Sequence, residues 1–169
     1  MAAYGEARET RDADLAVVDL RVARAQEVLE AAGLHCVVAI DDPGLRFGGL
    51  VVGRVSLVGG QDDLGLNVLD LVRTLSPRYD EAAMGRAIRV PLRDGFIRAV
   101  SPEDFVIFKA LATRDRDRED AASVLRYSSQ LLDLSLVETE VERLAAEIPD
   151  FDVCGSWEEI RTRAGSSTG

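Results

Sequence analysis

The chain has 169 residues and a mass of 18.3 kDa, is 47% hydrophobic and 30% charged, and carries a formal charge of −10. These figures exclude general disorder, and no apolar run approaches the ~20 residues a membrane helix needs. The acidic balance excludes general coating of DNA or of a membrane surface, while leaving room for a local basic patch. MAAYGEARET at the start lacks the basic and apolar regions of a secretory signal. Cys36 and Cys154 make no metal or redox spacing and read as reduced thiols of a cytoplasmic protein. Of 20 basic residues only Lys109 is a lysine, a skew that codon bias alone can produce.

The first expected strand spans 14–18, a short apolar run. Asp19 can cap a helix over 20–32, with Gly33 as its stop. A second strand follows over 34–40 and ends in a turn at Asp41-Asp42-Pro43-Gly44. Strands over 50–58 and 66–72 form a hairpin, and 86–92 with 96–100 form another around Arg93-Asp94-Gly95. Ser101-Pro102-Glu103-Asp104 then opens a helix with a cap, a proline and an acidic first turn. Helices are expected over 102–113, 117–130, 135–147 and 156–163, with Asp133 or Ser135 starting the third. The predicted class is α+β: a mixed-sheet core over 1–100, a helical part of the same compact unit over 101–164, and a disordered tail over 165–169.

Four residues stand out chemically. In an extended segment Asp12 and Asp14 project from one face, with Cα atoms about 6.7 Å apart. Two such carboxylates repel unless a divalent cation or an arginine neutralises them, and Mg²⁺ accepts carboxylate and phosphate oxygens together. By itself the pair reads more readily as turn and cap residues of a surface loop than as a metal site. Asp70 sits in an apolar strand on the face of Leu66, Val68 and Val72, where a buried carboxylate needs an arginine, a metal or an exposed edge. Lys109 is the one charged side chain in Phe105–Ala112; periodicity places it on a solvent stripe with Pro102, Val106, Thr113 and Arg116, and its chemistry suits a phosphate. In Arg114–Asp120, Asp117 and Asp120 suit an N-cap and its partner three residues on, or a place near a site in which Arg114 meets a phosphate. The single histidine, His35, has no visible nucleophile beside it.

Taken in order, these pieces resemble a known family. Gly5-x-x-Arg8-x-Thr10-x-Asp12-x-Asp14-Leu15 is similar to the strand motif of minimal nucleotidyltransferases with the DNA polymerase β-type fold, especially AbiEii-like toxins. Asp70 falls where those proteins carry a third acid. Lys109-x-x-Ala112 resembles their K-x-x-A helix, and Arg114-x-x-Asp117-x-x-Asp120 the stretch that opens their next helix. The resemblance implies Mg²⁺-dependent transfer of a nucleoside monophosphate from an NTP to a protein or tRNA hydroxyl, with release of pyrophosphate. Asp12, Asp14 and Asp70 would hold the metal; Asp70 would also help deprotonate the acceptor; Lys109, Arg8, Thr10 and Arg114 would position phosphates. Relatives are often the toxin half of a toxin–antitoxin pair, so a cognate antitoxin or toxin is an expected partner. The family normally has a preceding strand and helix with a Gly-Gly or Gly-Ser pair, whereas this sequence opens Met1-Ala2-Ala3-Tyr4-Gly5. That departure sets a catalytically degenerate binding module or antitoxin-like partner beside the enzyme. A sheet edge left open there could be covered by a second subunit.

Overall fold

A computed structural model describes residues 12–58, 68–92 and 95–165. Its four-stranded sheet contains β1 (Asp12–Ala16), β2 (Cys36–Phe47), β3 (Leu50–Leu57) and β4 (Val68–Thr74), in the order β1-β4-β3-β2. β1 runs parallel to β4, and the other neighbours are antiparallel. Between β1 and β2 lies helix α1 (Val22–Ala31). After β4 come α2 (Pro77–Arg86), the ribbon β5 (Ile88–Leu92) and β6 (Gly95–Ala99), and four helices. Those are α3 (Pro102–Leu111), α4 (Asp115–Ser128), α5 (Leu134–Glu147) and α6 (Val153–Gly165). The α+β expectation holds.

Strand alternation decides which side chains meet the two packing layers. Val51, Val55 and Leu71 point to one face and form a small core with Leu20 and Val22 at the start of α1, and with Cys36. The opposite face carries Val52 and Arg54 on β3, Asp70 and Val72 on β4, and Asp12 and Asp14 on β1. At its Leu50 and Val72 end this face meets the larger core, built mainly from α3 to α6. Leu75, just after β4, packs on both cores.

Several local signals act as their chemistry requires. The hydroxyl of Ser101 accepts the Asp104 N–H (3.1 Å), and the Asp133 carboxylate accepts that of Leu136 (3.0 Å). Gly33 takes φ +85°, donates to the Glu30 carbonyl (2.9 Å) and thereby closes α1. Helix α2 escaped the sequence reading, although Ser76-Pro77 repeats the Ser101-Pro102 signal and Ser76 accepts the Tyr79 N–H (3.1 Å). Asp19 does not cap α1: Arg21 holds that position, and the Asp19 carboxylate takes the Arg21 guanidinium instead (2.6 Å).

The expected turn at 41–44 is corrected as well. Strand β2 continues through it to Phe47, with a cis Asp42–Pro43 bond and a register shift between Ile40 and Leu45. An edge strand tolerates the proline because no neighbour needs its missing donor. The real reversal is Gly48-Gly49, where Gly48 takes φ +64°. A Cβ on Gly48 would stand 2.7 Å from the Leu111 carbonyl oxygen, so only glycine lets this turn approach the end of α3. Gly49 donates to that same carbonyl (2.9 Å), and the Leu75 N–H donates to the Gly49 carbonyl (3.0 Å). The backbone thus stitches the sheet to α3 directly.

Candidate active site

The parallel register pairs Asp14 with Asp70, and the antiparallel register pairs Asp70 with Arg54. In-register neighbours share a sheet face, so three strands bring Asp12, Asp14, Asp70 and Arg54 together. Asp70 is 5% exposed, and Arg54 grips it with two bonds, Nε to Oδ1 and Nη2 to Oδ2, both 2.7 Å. Of the partners open to Asp70 from sequence, the arginine is the one present. Each carboxylate oxygen keeps a further lone pair after that bidentate grip.

Asp14 is exposed as a residue, yet enough protein surrounds its carboxyl that lost hydration pushes its pKa up. Repulsion from Asp70 raises it further, while Lys109 and Arg114 pull it down and Asp117 opposes them. Its neighbours therefore come from β4, α3 and α4 together. The Arg54 guanidinium is held charged by its bonds to Asp70 and by the fields of Asp12 and Asp14.

Across this acidic sheet face stands the helical side. Lys109 Nζ donates to Asp117 Oδ1 (2.5 Å) and lies 3.6 Å from Asp120 Oδ2. The solvent-stripe expectation fails because α4 folds back on α3: Val106 is fully buried, and the Lys109 side chain is only 20% exposed. Asp117 does not cap α4. The helix starts two residues earlier, and Asp117 lies in its first turn with its carboxylate turned to Lys109. Asp117 Oδ2 is buried without a hydrogen bond; Arg114 Nε stands 3.6 Å away, beyond bonding range. The rest of the Arg114 side chain is open to solvent.

The structure thus brings together Asp12, Asp14, Asp70, Lys109 and Arg114. Arg8 and Thr10 lie outside the described residues, as does the 59–67 connection. Arg54 is the site residue that sequence reasoning missed. Its signal was the one used for Lys109, a lone charge in an apolar element, here Leu50–Leu57.

Among the described residues no three His, Cys, Asp or Glu side chains form a ready metal-binding group. The chemistry of the pair still suits Mg²⁺, which takes one or two carboxylates and completes its shell with phosphate oxygens and water. Asp12 and Asp14 would supply those two, with Asp70 reachable through its unused lone pairs. A face of acids opposite a face of cations suits a polyphosphate that arrives with its metal.

Further buried acids lie elsewhere, Asp104 and Asp80 among them. Asp104, fully buried, accepts from Tyr79 OH (2.8 Å), Arg86 Nη2 (2.6 Å), Arg86 Nε (3.0 Å) and Ser101 Oγ (2.9 Å). Asp80, 3% exposed, accepts the Thr74 N–H on Oδ1 (2.8 Å) and leaves Oδ2 without a partner. Burial pushes its pKa up to about 6 against the pull of the Thr74 hydrogen bonds and Arg73.

A mixed sheet with paired aspartates on adjacent parallel strands, backed by a helical layer, is consistent with a nucleotidyltransferase-type core. The model of the family described as "nucleotidyl transferase of unknown function (DUF2204)" matches residues 2–161, and the chain belongs to that family. No curated protein matches it. No helix among the described residues is long and apolar enough to cross a membrane.

Proposed function

We propose that this chain is a metal-dependent nucleotidyltransferase of the AbiEii-like kind, moving a nucleoside monophosphate from an NTP to a hydroxyl on protein or RNA. The observation that carries the reading is the in-register Asp14–Asp70 pair facing Lys109 and Arg114. Mg²⁺ held by Asp12 and Asp14 would supply charge neutralisation at the triphosphate. Lys109, its rotamer fixed by Asp117, offers a positioned cation to phosphate oxygens without reorganising during reaction. Arg114 reaches the same region from solvent and can close on the nucleotide. Arg54 fixes the plane of Asp70, which would take the proton of the acceptor hydroxyl on a lone pair left unused by that grip. The acceptor oxygen bonds to the α-phosphorus as pyrophosphate leaves, so positioning and charge supply most of the catalysis. A toxin role fits such an activity and predicts growth arrest on expression, relieved by a cognate antitoxin.

The test is labelled NTP with Mg²⁺ and either tRNA or candidate proteins. Transfer is expected, with a loss of at least about 10²-fold in Asp12→Ala and Asp14→Asn. Transfer that survives Asp12→Ala would falsify the metal assignment. The second reading is a degenerate binding module, favoured by the engagement of both Asp70 oxygens with Arg54. It predicts no Mg²⁺–NTP binding by calorimetry together with a stable protein partner; tight nucleotide binding rejects it.

A further inference from the structure

The β5–β6 ribbon stands apart from the rest of the fold, and no residue of either strand belongs to either core. Its register gathers Arg89, Pro91, Phe96 and Arg98 on one face, with Arg89 directly opposite Arg98 and Pro91 opposite Phe96. All four are exposed. Two guanidinium groups so placed repel unless negative charge lies over them, and among the described residues no carboxylate pairs with either. Their contacts are of another kind. Arg98 Nη2 donates to the Met84 carbonyl (2.5 Å), and the Arg89 guanidinium lies over the Phe96 ring, 3.8 Å from its centre. Stacking holds the Arg89 plane while its N–H edge stays available to an oxygen anion. Phe96 is still 59% exposed, and both ring and guanidinium are flat surfaces on which a further planar group can stack. An open hollow of about 540 Å³, lined by Ala87, Arg89, Phe96, Ile97 and Arg98, falls in the size range of ligand sites.

We propose that this face binds a single strand of nucleic acid, with phosphates on Arg89 and Arg98 and an unstacked base on the Arg89–Phe96 platform. Phosphate and base together answer both the paired charges and the planes beside them. A carboxylate-bearing protein answers the charges alone and leaves the planes bare. A duplex fits less well, because its bases are already stacked and paired within the helix. The overall charge of −10 is spread along the whole chain, and physiological salt screens it beyond about 8 Å. A strand on the ribbon therefore meets chiefly the local balance over residues 87–100, three arginines against one aspartate. None of these residues belongs to the acid cluster, so the proposal stands whether or not the chain transfers nucleotides.

Fluorescence anisotropy of the full chain with a labelled oligouridylate of about 12 nucleotides tests this. The titration is run in EDTA, so that no metal bridges the strand to Asp12 and Asp14. Saturable binding is expected, with a slope of log K on log salt of about −1.4 for two phosphate contacts. Arg89→Ala and Arg98→Ala should each bring that slope to about −0.7. Phe96→Ala should weaken binding at least about 10-fold, with circular dichroism unchanged because the side chain is exposed. Arg89→Lys should keep the slope and lose affinity, which separates the stacking plane from the charge. No binding at about 50 mM salt, or Arg89→Ala and Phe96→Ala variants that bind as tightly as the wild type, overturns the proposal. Uridine monophosphate that binds as tightly as the strand assigns the hollow to a free nucleotide and equally overturns it.

Discussion

The two best-defined acidic sites are built on opposite terms. Around Asp104 every bonding direction is used: a tyrosine, a serine and a two-bond arginine surround a carboxylate with no solvent exposure. Around Asp14 and Asp70 the charges do not close on themselves. The Asp14 carboxylate is destabilised by lost hydration and then by Asp70, and across from it Asp117 keeps a buried oxygen without a hydrogen bond. A complete set of partners serves stability, and an incomplete set is what a ligand can complete. The contrast separates the acid that locks α2 to α3 from the acids proposed above to take a cation and a phosphate.

Removing the satisfied acid should have the largest effect on stability. Asp104→Ala leaves the Arg86 guanidinium partly buried without its partner, and should cost about 3–5 kcal/mol in urea unfolding. A loss under about 1 kcal/mol would erase the distinction between the two sites. Asp80 comes next and has the opposite sign. Its carboxyl titrates at about 6 in the fold against 3.8 when unfolded, so the native state holds an extra proton between those values. Stability should therefore rise as pH falls through 6 toward 3.8 on account of this group. Asp80→Asn should flatten that slope and add up to about 3 kcal/mol at pH 7, measured by urea titrations at several pH values. Gly33→Ala probes the backbone alone: φ +85° disfavours a side chain although nothing lies within 4 Å of it, so about 1 kcal/mol is expected by melting. Smallest is Asp14→Asn, which should raise the melting temperature slightly, by less than about 1 kcal/mol in equivalent stability, because it removes a partly desolvated charge and its repulsion with Asp70. A clear drop in melting temperature would make Asp14 a structural acid like Asp104.

Much of this was legible from residue order. The Ser101-Pro102 cap, the Gly33 stop and both hairpins depend on chemistry within a few residues, so the sequence displays them. The α2 helix carries an equally local signal in Ser76-Pro77. What stayed hidden depends on tertiary approach. Lys109 sits at a helical spacing that suits solvent until α4 folds over it, and no periodicity in α3 reports that. Asp117 offers cap chemistry locally, but its partner lies eight residues back on another helix. Arg54 finds Asp70 only through a β register spanning 16 residues. The Asp41–Gly44 turn signal was real, and sheet pairing overrode it by absorbing those residues as an irregularity in β2.

The contact at Gly48-Gly49 bears on how the two charged faces keep their separation. Asp12, Asp14 and Asp70 belong to the sheet, and Lys109 and Arg114 to the helical side, so the spacing between them could drift with every change in core packing. Instead, main-chain bonds tie the end of β4 to the turn, and the turn to the end of α3, two residues beyond Lys109. The main chain acts as a gauge block: it sets that spacing without calling on any particular core side chain. Core residues can then be exchanged for others of similar size while the spacing between these carboxylates and Lys109 stays the same.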